Sequence, residues 1–176
     1  MPMKERSKTK VTALTAVMTA FVYAMTSISI PMPPPLGVWH IGDIASFTAA
    51  ILCGPVVGAF ACGVGAALFD VWNPLWGSAF ITWWPATIVI RSFMGFLLGK
   101  LRGIIKNRPV TSEVIAMIVA AVEKNLGYFT YDYLLFGPVA YTDLITFFPL
   151  SVLDIIVTVP LLASICKALK TRYVIE

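Results

Sequence analysis

Long, predominantly apolar stretches joined by short polar connections constrain this chain more than any other feature. The first covers residues 11–30, roughly the 20 residues that a helix needs to cross the hydrocarbon core of a bilayer. Only 12% of the 176 residues are charged and 59% are hydrophobic, whereas a soluble domain has about 25% charged residues. We therefore expect an integral membrane protein with no room for a separate soluble domain.

The apolar stretches predict an all-α membrane bundle of six transmembrane helices in a single domain, residues 1–176. The helices are expected at about residues 11–30, 42–53, 55–72, 81–101, 111–136 and 144–166. Four prolines in residues 31–35 predict a stiff extended loop after the first helix. Gly54-Pro55 divides the stretch 43–70, which is too long for one straight span and short for two.

Small residues recur at four-residue spacing and indicate close helix packing. In the first helix they form an alanine stripe that includes Ala16, Ala20 and Ala24. This stripe either packs within the bundle or docks on another membrane subunit. Glycines suggest further backbone-to-backbone contacts, and they are Gly54, Gly58, Gly63, Gly65, Gly95, Gly99 and Gly103.

Basic residues predict the orientation. Of the 13 Lys and Arg residues, 11 fall in three segments: four in residues 4–10, four in residues 100–108 and three in residues 167–172. Cytoplasmic segments of membrane proteins are enriched in Lys and Arg. We therefore expect a multi-pass protein of the plasma membrane with both termini and the 100–108 loop in the cytoplasm, which six crossings satisfy. The first apolar run exceeds the 7–15 residues of a signal-peptide core, so we expect a retained helix.

Several kinds of chemistry have no support in the sequence. There is no GxxxxGK[ST] loop for ATP, no HExxH and no GxSxG. Cys53, Cys62 and Cys166 have no CxxC pairing and are expected to be buried free thiols. The single histidine, His40, lacks the spacing of a metal site or a catalytic triad. We expect no cofactor, metal or nucleic-acid partner.

Polar side chains inside the apolar stretches predict a binding cavity. Lys124, Tyr128 and Asp132 fall at i, i+4 and i+8 and share one helix face. Ionisable groups at membrane depth face a bundle interior or a wet cavity. At about 1.5 Å per residue, Arg91 and Lys124 lie near the midplane and most acidic groups lie further out. This distribution predicts a cup that opens outward above a closed floor.

The residues leave the purpose of these groups open. Arg91, Glu123, Lys124, Asp132 and Asp154 either form buried ion pairs between helices or contact a ligand. The excess of outer acids leans towards a neutral or cationic solute, although the two cations could hold an anion. The tryptophans of the 72–84 segment form either an interfacial belt or a lid over an aromatic ligand. A stand-alone carrier or channel, and an intramembrane enzyme that uses Asp132 and Asp154, are the alternative functions.

The order of several segments resembles a known family. These segments are the alanine stripe, GVWHIGD, AAILCGPVVGAFACGVGAALFD, the helix with a basic residue before FMGFLLGKL, and LGYFTYDYLLFG. Together they resemble the substrate-binding S component of energy-coupling-factor (ECF) vitamin transporters, above all the riboflavin-type family. The resemblance implies a six-helix fold that binds a vitamin-sized molecule near the outer face. It also implies that Ala16 and Ala20 dock on a transmembrane T component, with two ATPase subunits driving release.

The resemblance also supplies candidate contacts for the ligand. We expect this ligand to be a heteroaromatic vitamin or vitamin precursor, similar in size to riboflavin, pyridoxine or the precursor of thiamine. Asn125, next to Lys124 in the predicted helix 111–136, is a further candidate for hydrogen bonding to the ligand. The expected substrate-binding residues are Trp39, His40, Asp43, Trp72, Asn73, Trp84, Arg91, Lys124, Asn125, Tyr128, Tyr131, Asp132 and Asp154.

Overall fold

Helices form almost all of the protein. The computed structural model describes residues 3–31 and 38–174. Its helices are α1 (Met3–Ser27), α2 (Gly42–Val71), α3 (Trp84–Leu101), α4 (Pro109–Phe136) and α5 (Tyr141–Leu169), with a short 3-10 helix at Gly137–Ala140. Strands β1 (Ser29–Pro31) and β2 (Val38–His40) pair antiparallel, with Ile30 opposite Trp39. The predicted all-α class is confirmed, while most of the proline-rich loop, residues 32–37, lies outside the described residues.

The helix ends differ from the predicted ones by a few residues. Helix α1 begins at Met3 instead of residue 11, so it includes the basic segment of residues 4–10. It ends at Ser27 instead of residue 30 because the chain then pairs in β1. Helix α3 begins at Trp84, not at residue 81, with Pro85 in its first turn, where a missing N–H costs nothing.

Helix α2 folds back on itself at Gly54, where the sequence predicts a break. Gly54 has φ of 86°, a left-handed conformation that glycine adopts without strain. The two arms, residues 42–53 and 55–71, run antiparallel, since Cys62 Sγ lies 3.5 Å from the Ser46 carbonyl oxygen. The first arm, about 18 Å long at 1.5 Å per residue, is shorter than the roughly 30 Å hydrocarbon core of a bilayer.

The end of this short arm leaves backbone carbonyls without helical partners, and Arg102 and the C-terminal segment supply donors for them. The Arg102 guanidinium donates to the Ile51 carbonyl at 2.7 Å, and the Val174 N–H donates to the Leu52 carbonyl at 2.8 Å. Tyr173 lies under Arg102, with its ring centroid 4.3 Å from the guanidinium carbon. The turn at Gly54 is therefore stabilised by two other parts of the chain, the connection after α3 and the C-terminal segment.

The helical segments pack antiparallel in sequence order and place the loops at two ends. One end, which we call the basic end, contains the Gly54 turn, residues 100–109 and residues 170–174, with Lys10 Nζ donating to the Val174 carbonyl at 2.9 Å. The opposite end, which we call the aromatic end, contains β1, β2, the turns of residues 72–83 and the α4–α5 connection. The three basic segments of the sequence thus meet at one end.

Two stretches are long and apolar enough to cross a membrane: Gly42–Val71, with mean hydropathy 2.0, and Pro109–Leu169, with mean hydropathy 2.1. Large apolar side chains cover the outward faces of α4 and α5, and Leu134 and Ile145 are 78% and 76% exposed. Such faces suit contact with lipid. The number of six crossings remains a prediction.

Glycines bring α2 and α3 into backbone contact, as the spacing predicts. A Cβ on Gly58 would lie 2.7 Å from the Gly95 carbonyl oxygen and 2.7 Å from the Ala50 Cβ. A Cβ on Gly99 would collide with the backbone of Gly54 and Pro55. The expectation for Gly103 is wrong, because no heavy atom of the described chain would lie within 4 Å of such a Cβ.

We expect Gly58→Ala to destabilise the bundle by about 1–3 kcal/mol, since the added methyl has to displace backbone on both sides. The matched control is Gly103→Ala, whose methyl enters open space. Thermal unfolding in detergent, followed by circular dichroism, should show a lowered midpoint for the first variant only. Equal midpoints would contradict the close α2–α3 packing.

Candidate ligand-binding site

A cavity of about 130 Å³ opens at the aromatic end between α2, α3, α4, α5 and β2. This space holds roughly ten water molecules. Its polar lining residues are His40, Asp43, Asp70, Thr87, Arg91, Lys124, Asn125, Tyr128, Asp132, Asp143, Ser151 and Asp154. Its aromatic lining residues, besides Tyr128, are Trp39, Phe69, Phe80, Trp83 and Phe147.

The carboxylate of Asp43, in the first turn of α2, binds both cations of the cavity. Arg91 Nη1 donates to Oδ1 and Lys124 Nζ donates to Oδ2, so each carboxylate oxygen receives one cation. All three residues are buried, with 3%, 3% and 7% exposure for Asp43, Arg91 and Lys124. A buried charge requires such pairing. This ion triad ties together helices α2, α3 and α4.

Helix α5 joins the triad through Ser151. Lys124 Nζ lies 3.3 Å from Ser151 Oγ, and Asn125 Nδ2 donates to the same oxygen at 3.1 Å. One hydroxyl therefore connects α5 to two neighbouring residues of α4.

The imidazole of His40 lies beside the triad, in β2 and before the membrane-spanning α2. Burial and the nearby Arg91 guanidinium lower the pKa of His40 to about 3, so the ring is neutral at physiological pH. The Gly42 N–H lies 3.2 Å from Nδ1, and Arg91 Nη2 lies 3.2 Å from Nε2. A neutral imidazole accepts only one hydrogen bond. Only one of these two contacts is therefore a hydrogen bond that the ring accepts.

Aromatic rings and a hydroxyl relay build the upper wall. Phe69 and Phe80 stack with centroids 5.5 Å apart and planes 13° apart. Trp83 Nε1 donates to Asp132 Oδ1 at 2.7 Å, and Tyr128 donates to Thr87 Oγ1 at 2.8 Å. The wall thus combines flat apolar surfaces with groups of fixed orientation, an arrangement typical of sites for small molecules.

The cavity ends on an apolar core towards the basic end. Phe47, Ile51, Met94, Leu98 and Met117 are fully buried there and belong to one packed cluster. This is the closed floor that the sequence predicts. Within residues 3–31 and 38–174, no group of three or more His, Cys, Asp or Glu side chains is arranged to hold a metal ion.

The cavity brings together nine of the thirteen predicted site residues: Trp39, His40, Asp43, Arg91, Lys124, Asn125, Tyr128, Asp132 and Asp154. The ion-pair interpretation also holds for Arg91 and Lys124, because both bind Asp43. Glu123 is half-buried, and its Oε2 has no hydrogen-bond partner in the described chain.

The other four predicted residues do not line the cavity. Trp72 and Trp84 are 57% and 42% exposed, which fits an interfacial belt. Asn73 is buried but shapes its own turn, accepting hydrogen bonds from the N–H groups of Leu75 and Trp76. The Tyr131 hydroxyl donates to the Thr82 carbonyl at 2.7 Å and so fastens α4 to the 72–83 turns.

Helical spacing could have revealed half of the ten lining residues that the sequence reasoning missed. Trp83 and Thr87 precede Arg91 by eight and four residues, on one face. Phe147, Leu150 and Ser151 precede Asp154 by seven, four and three residues. Phe80 lies in an irregular turn, where no periodic signal exists.

The free thiols match the prediction in part. Cys53 and Cys62 are buried, whereas Cys166 is half-buried near the basic end.

We expect Asp43→Asn to lower stability by about 3–5 kcal/mol, because Arg91 and Lys124 would remain buried without their counter-charge. Asp143→Asn is the matched control, since it removes a cavity carboxylate that has no bound cation among the described residues. Thermal unfolding without ligand should separate the two variants. Equal midpoint temperatures for Asp143→Asn and Asp43→Asn would show that the triad stabilises the fold no more than another cavity carboxylate does.

Two comparisons with known proteins agree with this architecture. The model of the family "ECF-type riboflavin transporter, S component" matches residues 6–171, nearly the whole chain. A protein of Pyrococcus woesei, described as an uncharacterized protein in gap 3'region, is 35% identical over 114 residues, which is 63% of this chain and 70% of that protein. The chain therefore belongs to the family of ECF-type riboflavin transporter S components.

Proposed function

We propose that this protein captures a heteroaromatic vitamin or vitamin precursor from outside the cell and delivers it through an ECF module. The observation that carries the proposal is the cavity at the aromatic end, with its aromatic walls and the Asp43 ion triad in its lining. Flat rings stack on Phe69, Phe80 and Trp83, while the surrounding polar groups fix the orientation of the ligand.

The size of the cavity favours a compact ligand. Room for roughly ten waters corresponds to about 300 Å³ of liquid. A one-ring molecule such as pyridoxine or the pyrimidine precursor of thiamine fits within this space.

The distribution of charge supports an orientation with the cavity facing outward. Lys10, Arg102 and Arg172 lie at the basic end together with both described chain ends. Cytoplasmic placement of basic segments puts the aromatic end, and with it the cavity, on the outer side of the plasma membrane.

The alanine stripe supports docking to a T component. Ala16, Ala20 and Ala24 are exposed, whereas the opposite face of α1 packs on α2 through Val22, which is fully buried. Their exposure supports docking over packing within the described bundle, the other interpretation open from sequence. Small residues on an exposed membrane helix allow a second helix to approach closely. Two ATPase subunits would complete the module, since the chain has no nucleotide-binding motif of the P-loop type.

Trp83 provides a test of ligand stacking. We expect riboflavin, pyridoxine, thiamine or its pyrimidine precursor to quench tryptophan fluorescence in the purified protein. Trp83→Phe should remove most of the quenching and weaken binding about tenfold, because the indole also orients Asp132. The neighbouring Trp84→Phe should leave binding unchanged, as Trp84 does not line the cavity. The opposite order of effects would refute the assigned wall.

The exposed α1 face provides a test of assembly. We expect Ala16→Leu with Ala20→Leu to prevent co-purification with the T component and to abolish uptake, while ligand binding persists. Ala163→Leu, at an exposed alanine of α5, is the matched control and should do neither. Uptake by the wild-type chain in cells that lack the ECF module would instead support a stand-alone carrier.

A further inference from the structure

The cavity contains more carboxylates than its cations neutralise. Among the described residues, Arg91 and Lys124 are the cationic side chains that line it, and both are bound to Asp43. Further acidic side chains line the same cavity, and they are Asp70, Asp132, Asp143 and Asp154. Carboxylates withdrawn from water require a proton or a positive partner.

Two of these carboxyl groups have a buried oxygen without a partner. Oδ2 of Asp70 and Oδ2 of Asp143 accept no hydrogen bond from the described residues, and these aspartates are only 8% and 7% exposed. Asp70 lines the cavity together with Thr87 and Tyr128, and the Tyr128 hydroxyl donates to Thr87 Oγ1. The Oδ2 atom of Asp70 therefore needs a donor that the described residues do not supply.

Asp143, besides its unpartnered Oδ2, lies beside a second carboxyl group and so needs a hydrogen-bond donor for another reason as well. It lies in hydrogen-bonding contact with Asp132, whose Oδ1 already receives the Trp83 indole N–H. Two carboxylates in contact repel each other unless a proton or a positive group lies between them. An N–H-rich group of a ligand would satisfy both.

Unpartnered donors lie in the same wall. Trp39 Nε1 and Arg91 Nε are buried and have no acceptor in the part of the chain that the structure describes. The cavity thus offers acceptors at Asp70 and Asp143, donors at Trp39 and Arg91, and stacked rings at Phe69 and Phe80.

We propose that the ligand is a small planar ring that carries a protonated amino group or a similar N–H-rich cationic substituent. Asp70 and Asp143 receive this substituent, and Trp39 donates to an acceptor on the ring. A carboxylate or phosphate in the same place would face like charges. This inference rests on the proposed function and narrows it to one class of substrate.

The test compares ligands that differ only in one substituent. Pyridoxamine, pyridoxine and 4-pyridoxate share one ring and carry an amine, an alcohol and a carboxylate, and benzylamine, benzyl alcohol and benzoate form a second series. Binding is measured by thermal shift and tryptophan fluorescence on the detergent-purified chain. We expect the amine to bind tightest in at least one series, about tenfold or more above the alcohol, with the carboxylate weakest.

Variants identify the groups responsible. Asp70→Asn with Asp143→Asn should abolish the preference for the amine, while the unliganded protein keeps a cooperative unfolding transition. Glu123→Gln is the matched control, because it removes a half-buried carboxylate that does not line the cavity, and it should keep the preference.

The outcomes separate the two proposals. Tightest binding of an alcohol or a carboxylate, binding of riboflavin alone, or an amine preference that survives in the double variant would overturn the inference and leave the proposed function intact. No binding of any of these compounds, or of riboflavin or thiamine, would contradict the proposed function itself, and the inference would fall with it.

Discussion

The carboxylate of Asp43 is the group on which the rest of the structure depends. It is buried, and it is tolerated there because Arg91 and Lys124 reach it from two other helices. Its place in the first turn of α2 adds the favourable field of a helix N-terminus. Asp43 lies 48 residues from Arg91 and 81 residues from Lys124 in the sequence, so the triad forms only when α2, α3 and α4 are correctly assembled. This part of the cavity lining is therefore also a condition for the fold.

The reversal of α2 at Gly54 places this carboxylate where it is needed. A single straight helix would put Asp43 and Asp70 at opposite ends, about 40 Å apart at 1.5 Å per residue. The hairpin brings both to the aromatic end, where they line one cavity. The cost of the short first arm is a set of carbonyls away from water, which Arg102 and Val174 satisfy. Contacts at the basic end thus support a binding site at the other end.

Much of this arrangement follows from the sequence, for identifiable reasons. Hydropathy predicts the helices, and four-residue spacing places Lys124, Tyr128 and Asp132 on one face. Tertiary pairing is not periodic, so the sequence does not reveal that Lys124 binds Asp43, which lies 81 residues away. The choice between Trp83 and Trp84 depended on one residue of helix phase, which the Pro85 start signal alone does not determine. Residues in turns, such as Phe80, carry no spacing signal at all.

The cavity lining and the alanine stripe lie on different parts of the structure. The described residues that line the cavity come from β2, the turns of residues 72–83 and helices α2 to α5, and none comes from α1. Helix α1 packs on α2 with one face and exposes its alanine stripe on the other. Because the cavity is closed towards the basic end by packed apolar side chains, a captured ligand has no path through the bundle. Under the proposed orientation, release to the cytoplasm would therefore need movement of the bundle, and α1 would offer a partner a surface that lies outside the cavity lining.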